Sequence, residues 1–260
     1  MKTRVLSAFI MLPLMAVIYF GGYWLVAMCF AIGVLGVREF FKGFGTLGIK
    51  PSFPIAVVSA TGLYGIFLLG GQTEWFLAWI FLSVLASLLY LFDIENRQLE
   101  DAMATITGIF YIVYFSFHVV LVENTGEPSV LVWLIVLSAF GSDVCAYFTG
   151  MAIGRHKLCP KISPKKTIEG AIGGVVGSIL VCGIFGFYFA NQYFLHCLAI
   201  GAIGAVISQC GDLTASIFKR KMGIKDYGNL IPGHGGILDR FDSVLFTAPT
   251  IYYYIQLFII

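Results

Sequence analysis

The sequence predicts an all-α, polytopic bundle of membrane-spanning helices, and three observations carry that prediction. Of 260 residues, 59% are hydrophobic and only 12% are charged, which is more apolar surface than a water-facing domain of this length can cover. The apolar residues gather into runs long enough to cross a hydrocarbon core, which takes about 17–25 residues per helix. The basic residues fall only in alternate connections between those runs.

In chain order the runs lie at 5–20, 23–37, 53–70, 75–92, 102–122, 130–150, 171–190, 194–215 and 243–260, giving nine candidate helices. The first comes after Lys2 and Arg4 as a secretory leader would, but no small-x-small site precedes Tyr23, so residues 1–22 are expected to stay as the first helix. The connections at 21–22, 70–74, 123–129 and 191–193 hold no Lys or Arg. All sixteen basic residues sit elsewhere: Lys2 and Arg4; Arg38, Lys42 and Lys50; Arg97; Arg155, Lys157, Lys161, Lys165 and Lys166; Lys219, Arg220, Lys221 and Lys225; and Arg240. The positive-inside rule reads this alternation as N-terminus in the cytoplasm and C-terminus outside, which requires an odd number of helices. Nine satisfies it. The expectation is a multi-pass protein of a bacterial-type inner membrane with its active site on the cytoplasmic side.

One membrane domain, 1–260, is expected, with scaffold helices over 1–128 and a catalytic half over 129–260 that carries cytoplasmic loops at 154–170 and 219–240. In the scaffold, Arg38, Glu39 and Lys42 read as charges at the membrane boundary, served by surface pairing and lipid headgroups. Asp93, Glu95, Arg97, Glu100 and Asp101 read as a solvated loop. His118 and His196 read as packing histidines. The six cysteines are scattered through apolar runs with no paired spacing, which fits neither a disulfide frame nor a zinc site. Gly150 with Gly154, Gly170 with Gly174 and Gly173 with Gly177 make small-xxx-small faces for close helix packing.

Ionisable residues inside membrane segments are costly, so each is a functional candidate. Asp143 shares a helix face with Tyr147 and Gly150; Asp212 shares one with Ser216 and Lys219. Hydrogen bonding to a neighbouring helix would explain Asp143 as well as function does. It would explain Asp212 less well, because a basic run, a glycine-rich turn and two more acids lie downstream of it. Lys219, Arg220, Lys221 and Lys225 supply positive charge. The run Pro232-Gly233-His234-Gly235-Gly236 supplies backbone that can turn N–H groups toward an anion, and Asp239 and Asp242 open the last helix. Carboxylates beside lysines suit a polyphosphate bound through Mg²⁺, because hard oxygen ligands take the metal and ammonium groups offset the remaining charge. Farther upstream, Lys165 and Lys166 precede a helix whose start, with Thr167 as candidate cap, attracts phosphate. Lys157 and Lys161 are equally explained by anionic headgroups.

The order of these residues resembles the signature of the phosphatidate cytidylyltransferase (CDP-diacylglycerol synthase) family. Ser216, Lys219, Arg220, Lys225, Asp226, Gly228, Pro232, His234, Gly235, Gly236, Asp239, Arg240 and Asp242 all match it in place. Gly154 to Lys157 and Ser163 to Gly170, including Glu169, resemble the family's preceding cytoplasmic loop. The resemblance implies that CTP and phosphatidate give CDP-diacylglycerol and pyrophosphate. It implies Asp212 and Asp239 as metal and catalytic residues, with Lys219, Arg220 and Lys225 beside them. Ser163, Lys165, Lys166, Thr167, Glu169, Ser216, His234, Gly235, Gly236, Arg240 and Asp143 are implied as substrate-binding. His234 either contacts phosphate or locks the glycine turn; Asp242 either adds a metal ligand or orients Arg240 or Lys219. The implied cofactors are Mg²⁺ and a monovalent cation such as K⁺. The implied partners are CTP and bilayer phosphatidate, with a homodimer permitted and no nucleic acid. An ion transporter would leave the signature run unexplained, and a CTP-dependent lipid kinase would need a base to activate a hydroxyl.

Overall fold

The computed structural model describes residues 15–126, 130–230 and 235–260. Almost every described element is helical. Residues 15–20 are helical, and Gly21 and Gly22, with φ of 61° and 55°, turn the chain into α1 (Gly22–Gly45) through a conformation that a side chain resists. Next along the chain are α2 (Phe53–Leu68), α3 (Thr73–Leu89) with a 3₁₀ turn to Phe92, α4 (Leu99–Thr107), a π-helical stretch (Gly108–Tyr114), α5 (Phe115–Glu123) and α6 (Val130–Ile153). A short hairpin, β1 (Lys157–Cys159) and β2 (Ser163–Thr167), pairs Lys157 with Thr167 and Cys159 with Ser163. Then come α7 (Ile168–Phe189), α8 (Phe194–Lys221) and α9 (Leu238–Phe258). Each apolar run from 23–37 onward coincides with one of these helical stretches; the run at 5–20 lies largely outside the described residues.

Among the described residues six helical stretches are long and apolar enough to cross a membrane: Gly22–Gly45, Thr73–Phe92, Leu99–Glu123, Val130–Ile153, Ile168–Phe189 and Asn191–Lys221. At 1.5 Å per residue, about 20 residues span the hydrocarbon layer. Phe53–Leu68 is apolar but has only 16 residues. The chain is therefore a polytopic helical membrane protein. Exposed Trp24, Trp75, Leu82, Val176, Leu180 and Ile184 are what a lipid-facing surface presents.

The chain forms two compact units, Met1–Phe117 with Lys221–Arg240, and His118–Arg220 with Phe241–Ile260. In the first, Ser52 caps α2 by accepting the Ile55 N–H, and Ser59 and Ser83 share a 2.7 Å hydrogen bond from α2 to α3. Asp101 departs from its expected solvation. It is 2% exposed and accepts the N–H groups of Lys50 (2.6 Å) and Gln98 (3.1 Å), so it closes a capping box at the start of α4 and ties that start to the α1–α2 connection. Gly108 begins the π-helical stretch where Val37 and Phe41 of α1 leave no room for a side chain.

In the second unit, α6 and α7 pack along the small residues. Gly150 lies against Gly170, Gly174 against the Ser142 carbonyl and Ala146, Gly173 against Thr149 and Gly177 against Cys145. A Cβ at any of these four α6- or α7-facing positions would crowd its neighbour, so the glycine faces are consumed by packing within the chain. His196 Nδ1 lies 3.1 Å from the Tyr254 hydroxyl, and buried His118 meets Tyr252 and Tyr253 edge-on or tilted, as packing histidines would.

Candidate functional site

The second unit holds a cavity of about 370 Å³, within the size range of small-molecule sites, lined by residues of α6, the hairpin, α7 and α8. Its polar wall is Asp143, Lys165, Lys166, Thr167, Gln209 and Asp212. Asp143, Tyr147 and Gly150 line it together, as their shared helix face requires.

Two of the charges lining the cavity are paired. Lys166 makes an ion pair with Asp212, and the Ser216 hydroxyl donates to the other Asp212 oxygen at 3.4 Å. Asp242, 7% exposed at the start of α9, lies within the fields of Asp212, Lys219 and Asp143. Asp143, Asp212 and Lys219 thus all act electrostatically on Asp242, and Lys166 joins them through its pair with Asp212. Among the described residues no three His, Cys, Asp or Glu side chains converge into a complete metal cage. Mg²⁺ does not need one, since it commonly takes one or two carboxylates and fills its remaining positions with water and phosphate oxygens.

The hairpin is built to present Lys165 and Lys166. Thr167 is buried, and its hydroxyl accepts the Gly170 N–H at 3.1 Å, capping α7. Glu169, in the first turn, accepts the backbone N–H groups of Arg155 and His156 and lies 2.6 Å from His156 Nδ1. These contacts fold the hairpin back on the start of α7. Arg220 Nε donates to the Ile162 carbonyl at 3.3 Å, fastening the hairpin to α8. Ser163 lies at the head of β2 and is partly exposed.

The first unit contains the middle of the signature, Lys221–Arg240, while Ser216, Lys219, Arg220 and Asp242 belong to the second. Gly223, with φ 70°, takes the chain out of α8, and Lys225 and Asp226 are exposed. Asp239 is 8% exposed, and its Oδ2 accepts the N–H groups of Tyr227 (2.8 Å) and Gly236 (2.9 Å). Gly235 has φ 85° and lies against the same carboxylate, two reasons for a residue without a Cβ. Arg240 sits in the first turn of α9. His234, with Pro232 and Gly233, lies outside the described residues.

Two residues of this machinery were missed from sequence. Gln209 donates to the Ser142 hydroxyl (3.2 Å) and the Ala171 carbonyl (3.0 Å), holding α8 against α6 and α7; its signal was a lone amide three positions before Asp212. Glu39 is not a surface charge. It is 8% exposed, and its oxygens accept the N–H groups of Ile237 (3.1 Å) and Leu238 (2.9 Å).

The family model of the cytidylyltransferase family matches residues 2–258. A phosphatidate cytidylyltransferase of Synechocystis sp. is 33% identical over 98% of this chain and 96% of its own length. Those of Bacillus subtilis and Staphylococcus haemolyticus are 34% and 31% identical; the alignments cover 78% and 96% of this chain, and 81% and 96% of the relatives.

Proposed function

The chain belongs to the cytidylyltransferase family, and on that premise we propose that it transfers the cytidylyl group of CTP to phosphatidate, giving CDP-diacylglycerol and pyrophosphate. The observation that carries the reading for this structure is the cavity in which Lys165 and Lys166 face Asp143 and Asp212.

A phosphatidate oxygen is anionic at neutral pH and attacks the α-phosphorus of CTP directly. One phosphorus–oxygen bond forms to the lipid phosphate, the α–β bridge breaks, and pyrophosphate leaves with the bridging oxygen. No hydroxyl has to be deprotonated, so the work falls to alignment and charge neutralisation between two anions. Lys165, Lys166, Lys219, Arg220 and Lys225 are assigned to phosphate oxygens, with Ser216 and Arg240 beside them. Thr167 and Glu169 act by fixing the hairpin that carries the first two lysines. Asp212 and Asp239 are assigned to Mg²⁺, with Asp242 as a third carboxylate; hard oxygen donors near lysines fit that ion, and K⁺ is the second cation the family resemblance suggests. Bound there, Mg²⁺ would offset the charge of the CTP phosphates.

The full topology belongs to the same reading: nine spans, N-terminus cytoplasmic, and hairpin and signature segment on the cytoplasmic side, as the basic residues alternate. Purified protein given phosphatidate and CTP radiolabelled at the α-phosphorus is the test. Label in lipid with pyrophosphate released is expected; label remaining in soluble CDP would mean a lipid kinase.

A further inference from the structure

Glu39 lies in α1, far outside the signature, yet its carboxylate holds the chain 198 and 199 positions on, at Ile237 and Leu238. A carboxylate out of water is costly unless charge-assisted hydrogen bonds replace the lost solvation. Here they do: Oε1 accepts from Ile237 and Oε2 from Leu238, N–H groups at the start of α9 that the helix cannot satisfy itself. Gly228 and Gly236 close over the same group; a Cβ on Gly228 would sit 2.5 Å from Oε1, and one on Gly236 would press on Oε2. Neither glycine has a positive φ, so this contact, rather than backbone conformation, excludes a side chain there. One to two turns along α1, Gly43 packs on Met222 and the Thr46 hydroxyl donates to the Met222 carbonyl at 2.6 Å, while Phe40 meets the Tyr227 ring. One helix therefore grips the segment at its start, middle and end.

We propose that Glu39 is a positioning residue for cytidylyl transfer: by clamping the N–H groups of Ile237 and Leu238 and seating Gly228 and Gly236, it fixes the direction in which Asp239 leaves the first turn of α9. The inference rests on the metal-binding role assigned to Asp239. Glu39 itself touches no substrate.

The full-length protein in lipid nanodiscs is compared with Glu39→Gln, Glu39→Ala and Asp239→Asn. Readouts are kcat, the Mg²⁺ concentration for half-maximal rate, and hydrogen exchange at the Ile237 and Leu238 amides. Glu39→Gln keeps the shape but replaces one acceptor by a donor. It is expected to lower kcat about tenfold, raise the half-maximal Mg²⁺ several-fold and speed exchange at both amides by about tenfold. Gly228→Ala should be harmful in the wild type and less so beside Glu39→Ala, which vacates the space. Wild-type values in Glu39→Gln overturn the proposal. So does a loss confined to yield and Tm, because a purely structural role leaves the Mg²⁺ requirement of the folded enzyme unchanged. Faster exchange without a Mg²⁺ shift removes the positioning role alone, whereas an active Asp239→Asn removes the reading of Asp239 and the proposal with it.

Discussion

The signature segment and the cavity of the second unit both gather acids, but they spend them differently. Both oxygens of Glu39 and the Oδ2 of Asp239 are turned onto backbone N–H groups, four of them within 2.8–3.1 Å, so these oxygens hold chain. Asp212 is turned onto Lys166 and Ser216, and Asp242, whose Oδ1 also accepts the Ser243 N–H, lies within the fields of Asp212, Asp143 and Lys219. Backbone donors cannot leave their acceptors without unfolding the turn, whereas a lysine on four methylenes can exchange a carboxylate for a phosphate. The first arrangement makes a fixed frame; the second makes a set of charges able to re-pair, as the proposed reaction requires.

Substitutions can break this contrast. Asp212→Asn should have the largest effect, lowering kcat about 10³-fold or more while membrane insertion persists, because it removes charge where charge is exchanged. Radiolabel transfer and a membrane-fraction blot measure the two halves of that statement, and near-normal turnover would remove Asp212 from the site. Gly177→Leu tests the frame beneath the cavity: pressing a side chain on Cys145 should destabilise the second unit by about 1–3 kcal/mol, seen as a lower unfolding temperature in detergent. Lys166→Gln should raise KM for CTP about tenfold, the loss of roughly one charge-assisted contact, and change stability little. A drop in Tm as large as that of Gly177→Leu would show instead that Lys166 belongs to the frame. Thr167→Ala removes a helix cap and should cost about 1 kcal/mol of stability, with KM changing only through the hairpin. Lys157→Gln, on the exposed strand, is expected to stay within about twofold of wild type in every readout, as exposed charges generally contribute little.

Much of the fold was legible because lipid imposes a long-wavelength pattern: apolar runs long enough to span it are written in consecutive residues. The Thr167 cap was legible for the same reason, since cap and first turn are adjacent. Around the candidate site, the proximities legible beforehand were those where i, i+4 spacing put Asp212 with Ser216 or Asp143 with Tyr147. What escaped depends on distant partners. Asp101 looked solvated within a mixed-charge run, yet its partner Lys50 N–H lies 51 positions away. Glu39 looked like a boundary charge, because nothing near it announces two N–H groups 198 and 199 residues on. The β-hairpin was read as a plain loop; its two strands are short, and contacts from Glu169 and Arg220 hold it as much as its ladder does.

The seating of Gly228 and Gly236 on Glu39 has a bearing on how such proteins can be recombined. A chimera that imports residues 221–240 from a relative without the matching α1 would juxtapose a turn and a clamp selected apart, and a single extra methyl group there is enough to collide. Grafts that carry α1 and the segment as a pair should splice cleanly, so the natural crossover unit is discontinuous in the gene though contiguous in space.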